Sequence, residues 1–188
     1  NSPLKATDSH ISLIAHVTKE ELLRYLTTTE TANGFANRFL WLCVKRSKCL
    51  PRGGSIQSVN FGPIIKRLKA AADFGKNAGC IKQTEETWNI WESIYPNLSE
   101  GMPGLLGAVT SRAEAQARRL SMLYALMDAS LTIRPQHLMA SLALWDYAFS
   151  SARYIFGDSL GDPTADEILN ALKGSPAGLT RTEINNLF

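Results

Sequence analysis

Between positions 104 and 156 apolar residues return every three or four positions through two long stretches, and this constrains the fold most. In the first, Val109, Ala113, Ala117, Leu120, Leu123 and Met127 fall on one stripe of a helix expected over 104–128. The Gly-rich "GMPGLLG" leads into it. In the second, Leu138, Leu142, Trp145, Phe149 and Ile155 mark a helix over 135–156. Pro135 opens that helix at the position where a missing amide hydrogen costs nothing. Two helices this long need each other's apolar faces, so the chain is expected to be mainly α.

The flanks suggest a small α/β portion. "ISLIAHV", 11–17, and "FLWLCV", 39–44, are short apolar runs of the kind that form buried strands. Thr18 and Glu21 make a capping box for a helix beginning near residue 19, with Leu22, Leu23 and Leu26 on it. Asn33-Gly34 is a turn signal between helix and second run. After Pro63, Ile64, Ile65, Leu68, Ala71 and Ala72 recur at helical spacing. A helix over 84–97 carries Glu85 and Glu86 in its first turn, which suits its dipole, and a Trp88, Trp91, Tyr95 stripe that reads as core rather than as a ligand platform. Beyond a linker at 157–161, Asp162-Pro163 starts one short helix, Gly174 ends it, and the capping box Thr180, Glu183 starts another carrying Ile184, Leu187 and Phe188. The last helix stops on an apolar face without a C-cap, so the chain is expected to be cut within a small helical unit.

Charge is concentrated. Residues 41–80 hold Lys45, Arg46, Lys48, Arg52, Lys66, Arg67, Lys69 and Lys76 against Asp73, a local +7 in a chain of net +3. The remainder therefore sums to −4. Such a segment is either a polyanion-binding face, with Lys45, Arg46, Lys48, Lys66, Arg67 and Lys69 as DNA contacts, or a solvated lysine-rich surface. No apolar run approaches ~20 residues and no apolar leader opens the chain. Three cysteines, Cys43, Cys49 and Cys80, without CxxC spacing suit a reduced, cytoplasmic protein and no zinc site.

No phosphate-binding GxxxxGK[ST] or GxGxxG is present, no HExxH and no nucleophile elbow. His10, His16 and His137 are not spaced as metal ligands. Taken alone the chain holds no complete active site. What remains is a set of cations. Arg38 follows the turn beside the second apolar run, where it either completes another subunit's phosphate site in trans or pairs with Glu30 or a carbonyl. Arg112 and Arg119, seven apart, share one line on the long helix and flank its stripe, while Arg118 is expected on the opposite side. Either they reach a phosphate or they are salt-bridged. His16 is a polar sensor at a strand's carboxyl end or an ordinary strand-end histidine.

The blocks "HISLIAHVTKEELLRYL", "ANGFANRFLWLCVKRSKCLP", "RAEAQARRLSMLYALMD" and "IRPQHLMASLALWDYAFSSARYIFG" resemble the C-terminal half of the ATPase region of plasmid- and prophage-borne primase–helicase proteins. The resemblance covers most of residues 10–188. It implies a partial RecA/AAA-like core of two strands in 1–55, a helical lid region in 56–157 and a truncated winged-helix-like unit in 162–188. It makes His16 the sensor and Arg38, in "GFANRF", the arginine finger. "TSRAEAQARRLSMLYAL" is similar to the lid helix of MCM-type helicases, with Arg112 as lid sensor and Arg119 as its partner, although the acidic residue, Glu114, is displaced. The phosphate loop and metal-binding carboxylates would precede Asn1, so ATP and Mg would be bound by the full-length protein and not by this chain alone. Missing strands would leave exposed sheet edges that invite pairing with another chain. DNA and a ring-like homo-oligomer are the implied partners. A non-enzymatic DNA-binding or scaffolding module of a plasmid or phage replication protein is the alternative. A regulatory protein reading a small ligand has no residue in its favour beyond the aromatic stripes.

Overall fold

The computed structural model describes residues 7, 11–26, 34–157 and 162–187. Within them the chain is mainly helical: α1 (Lys19–Tyr25), α2 (Gly62–Asn77), α3 (Glu85–Ser99), α4 (Gly104–Thr110), α5 (Ala113–Met127), α6 (Pro135–Phe156), α7 (Pro163–Lys173) and α8 (Arg181–Asn185). Single 3-10 turns span Ala36–Arg38 and Ile56–Ser58. The sheet is a parallel pair, β1 (Lys82–Gln83) and β2 (Thr132–Ile133), with Lys82 opposite Thr132 and Gln83 opposite Ile133.

Each expected helix start has its cap, though the full capping box closes only at Thr180 and Glu183: Thr18 Oγ1 accepts from the Glu21 amide at the start of α1 without the return bond, Asp162 accepts from the Ala165 amide at α7, and Thr180 from the Glu183 amide at α8. Helix α6 begins at Pro135 as expected.

The long helix expected over 104–128 is broken. The Thr110 and Ser111 hydroxyls bond back to the Leu106 and Ala108 carbonyls at 2.8 and 2.9 Å. This local competition with the helix ladder ends α4, and Arg112 becomes the N-cap of α5. The buried stripe of α5 is also smaller than expected: Ala113, Ala117, Ser121 and Ala125 are buried, whereas Leu123 and Met127 are exposed. Helix α6 buries small residues, Ser141 and Ala148 among them, beside the larger Leu138 and Trp145. α5 with α6 forms the most extensive helix contact among the described residues, and small buried residues suit a close approach of helices.

Two cores surround this pair. One gathers Trp91 of α3, Ala117 of α5 and Leu138 of α6, with Trp88, Ile94 and Leu142 packed against them. The other joins Ala36, Leu105, Leu106, Val109, Ala152 and Phe156, with Leu22, Leu26 and Trp41 alongside. Leu22, Leu26, Ala36 and Trp41 thus share a core with α4 and α6.

The expected strands at 11–17 and 39–44 form no ladder. Ile11 and Ile14 are 90% and 91% exposed, and no described strand lies beside them. Residues 39–44 instead lie against α6, where Cys43 N donates to Ser151 Oγ at 3.0 Å and the Tyr147 hydroxyl donates to the Cys43 carbonyl. Backbone groups that a strand would pair with another strand are met here by helix side chains. The sheet that does form is two residues per strand, too short for an alternation to register in the sequence.

Helix α2 also departs from expectation. Ile64, Ile65 and Leu68 are exposed. The half-buried face is Ala71, Phe74, Gly75 and Ala78, with Gly75 against Leu126 of α5. His10, Glu30, Asn33 and Phe188 lie outside the described residues.

Candidate functional site

Arg38 closes the 3-10 turn Ala36–Arg38, and the turn is anchored from several directions. Ala36 is 1% exposed in the core shared with Phe156. The indole of Trp41 donates to the Ala36 carbonyl at 3.2 Å and packs edge-on against Phe156, ring centres 5.4 Å apart. Phe35 and Phe39 meet edge to face at 5.1 Å. Gly34, at φ +75°, holds the left-handed conformation the reversal needs, and its carbonyl accepts from the Arg38 guanidinium. The side chain is therefore steadied by a carbonyl, one of the two local partners expected, while the residue stays exposed.

The end of α4 and the first turn of α5 hold the same turn from the other side. The Asn37 amide donates to Ser111 Oγ at 2.9 Å. Gln116 Nε2 lies 3.4 Å from the Asn37 carbonyl and 3.3 Å from that of Arg38 and donates to both. Gln116 is one turn beyond Arg112, the half-buried N-cap residue of α5, so the Arg38 main chain is tied to the first turn of that helix. Arg119 stands about 10 Å further along the axis at 1.5 Å per residue, exposed, on the rim of a separate cleft. The turn that carries Arg38 is thus tied to α5, whose N-cap is Arg112, while Arg119 lies at a separate cleft. Asn37 and Gln116, which make that tie, carried no signal: isolated amides fit any surface position.

The remaining candidates are scattered. His16 is exposed in an irregular segment, so the strand end it was expected to occupy is not there. Lys45, Arg46 and Lys48 lie exposed in the loop after the 39–44 segment, and Lys66, Arg67 and Lys69 lie exposed on α2. His137 is 2% exposed and satisfied: its Nδ1 accepts from the Arg134 amide at 3.1 Å and its Nε2 faces Asp128 Oδ2 at 3.2 Å. It ties the end of α5 to the start of α6.

Arg118 departs from its expected position. Its guanidinium lies over the Trp88 and Trp91 rings, 5.1 and 5.5 Å from their centres, and donates to Gln83 Oε1 at 3.0 Å. A long side chain one position from the stripe bends back over the aromatic face of α3 and gains a cation–π contact.

Among the described residues no group of three or more His, Cys, Asp and Glu side chains is placed to hold a metal ion. The donor set for Mg that the family resemblance implies is not found there, and with no phosphate loop in the sequence these residues do not by themselves fit ATP and Mg. Among the described residues no helix is long and apolar enough to cross a membrane. Comparison with protein families, with curated proteins and with solved structures finds no match.

Proposed function

We propose that this chain is the arginine-donating and lid-like portion of an ATP-dependent DNA motor of a mobile-element replication protein, a RecA/AAA-like assembly in which a separate phosphate loop binds ATP and Mg. Its own share is to present a cation to a triphosphate held elsewhere. The observation that carries the reading is the contrast at Arg38: a main chain clamped by Gln116 and by the Ala36 core, beneath an exposed guanidinium. A residue that stabilises developing phosphate charge across a boundary needs that combination, because a floppy cation loses in orientation what it gains in charge. A ring closed by heterologous contacts would carry Arg38 of each protomer to its neighbour. In this reading the helices α7 and α8 open a winged-helix-like unit, and His16 plays no sensing part.

The test uses the protein that carries the phosphate loop together with this region. Arg38→Ala is expected to retain ATP binding and to lose turnover by roughly 10³-fold or more. Gln116→Ala, which frees the main chain without touching the charge, should lower turnover less. Unchanged hydrolysis in Arg38→Ala removes the proposal.

A second reading, a non-enzymatic DNA-binding or scaffolding module, is favoured by a different observation. Lys45, Arg46 and Lys48 in one loop and Lys66, Arg67 and Lys69 on α2 are all exposed, while Lys76 of the same basic segment pairs with Asp73 at 3.2 Å. Tight duplex binding by the 188-residue chain without nucleotide supports this module over the motor.

A further inference from the structure

Where the parallel strands meet α3 and α5 a cleft of about 490 Å³ opens, lined by Lys82, Gln83, Trp88, Arg118, Arg119 and Met122 with isoleucines behind them. Its size falls in the range of small-molecule sites. Its chemistry is one-sided: three cations line it and no carboxylate does. The walls are apolar and aromatic, and Trp88 is only half-buried. The frame is rigid. Lys82 N donates to the Leu131 carbonyl at 3.3 Å and Thr84 N to that of Ile133 at 3.1 Å, while the buried Thr87 hydroxyl donates to the same Ile133 carbonyl. These bonds fix the strand that carries Lys82 and Gln83 against the first turn of α3.

Arg118 is already committed in the cleft, laid over Trp88 and held by Gln83. A guanidinium held beside indole rings places a planar cation next to aromatic surface, and nucleic-acid bases stack on both kinds of group. Arg119 and Lys82 are exposed beside it, on the solvent side of the cleft. Surface cations of this kind lose little by moving onto an anion. A flat ring system flanked by phosphate matches the surface better than a simple anion, which leaves Trp88 and Met122 unused, or an apolar molecule, which strands three cations.

We propose that this cleft binds a nucleoside phosphate, with the base against Trp88 and the Arg118 guanidinium and the phosphate between Lys82 and Arg119. The cleft is open to solvent along one side, which lets a strand enter and leave, so a single-stranded polynucleotide is the expected source and a free nucleotide the other. The site is distinct from Arg38 and stands on its own geometry, whatever becomes of the motor reading.

The 188-residue chain would be titrated with fluorescein-labelled (dT)8 and, in parallel, with a fluorescent ATP analogue. The variant pair Lys82→Glu/Arg119→Glu changes two exposed residues and should leave circular dichroism intact. Binding of (dT)8 is expected to weaken roughly tenfold or more. The slope of log K against log salt should become shallower by about 0.7 for each phosphate no longer neutralised. Arg24→Glu/Arg153→Glu makes the same charge change at exposed positions on α1 and α6 and should weaken binding far less. Trp88→Phe should diminish the tryptophan quenching that accompanies binding. Weakening of the ATP analogue alone keeps the site and assigns it to free nucleotide. Equal weakening by the two charge-reversal pairs, or none by Lys82→Glu/Arg119→Glu with either probe, overturns the proposal.

Discussion

A methyl group on Gly107 would run into the Met102 carbonyl oxygen, so only glycine lets the backbone before α4 lie so close to it. Single residues decide the ends of this molecule in the same way. At the start of α8 the Thr180 amide and hydroxyl both donate to Glu183 Oε2 at 2.7 Å. The backbone bond first, then the hydroxyl, holds the Glu183 carboxyl below the usual glutamate range. A carboxylate depressed in this way stabilises its helix above the ordinary glutamate pKa and ceases to do so as pH falls through the lowered value. Protection of the 181–186 amides, measured against their intrinsic exchange rate at each pH, is therefore expected to fall on acidification, and Glu183→Gln to flatten that pH dependence. Protection factors in Glu183→Gln with the wild-type pH profile contradict this. The capping box was legible because a Thr and a Glu three apart define it with no help from the rest of the fold. Gln116 was illegible because its role depends on which carbonyls happen to lie above it.

At the scale of elements, the helices were largely legible and their faces were not. Helix α5 buries Ala113, Ala117, Ser121 and Ala125, while the larger Leu123 and Met127 are exposed. Hydropathy favours the larger residues as the buried stripe, yet close approach of two helices favours the smaller. Ala117, 0% exposed, is therefore the sensitive position. Ala117→Leu is expected to destabilise by about 1–3 kcal/mol through overpacking, and Leu123→Ala by no more than about 0.5 kcal/mol. Denaturant midpoints at constant slope measure both, and a Leu123→Ala variant as damaged as Ala117→Leu would refute the assignment. The same holds for the strands. Residues 39–44 have the composition of a buried strand, and the Cys43 amide finds Ser151 of α6 in place of a neighbouring strand. Composition records that a segment is to be covered, not by what.

For the whole molecule, α6 is the common member of both cores, contributing Leu138 to one and Ala152 and Phe156 to the other. Phe156 is 0% exposed and touches Trp41 edge-on, so it couples the end of α6 to the turn that carries Arg38. Phe156→Ala is expected to cost about 3–5 kcal/mol and to shift Trp41 emission to the red as its ring gains water. Wild-type stability in that variant would mean that the 34–41 segment folds without the α6 core. The basic segment is organised at this scale too: cations contiguous in sequence divide between one loop and one face of α2, both exposed.

Helical period, Pro135 at a helix start, and the caps Thr18, Asp162 and Thr180 are all local and follow from the order of residues alone: each depends on neighbours within about one turn, whose geometry the backbone imposes. Strand pairing, the burial of small rather than large residues along α5, and the docking of the Arg38 turn through Asn37 and Gln116 arise only once the chain has folded. Those outcomes depend on which distant backbone and side-chain groups arrive opposite one another, and a hydrogen bond or a packed ring is worth forming only where its partner has been brought.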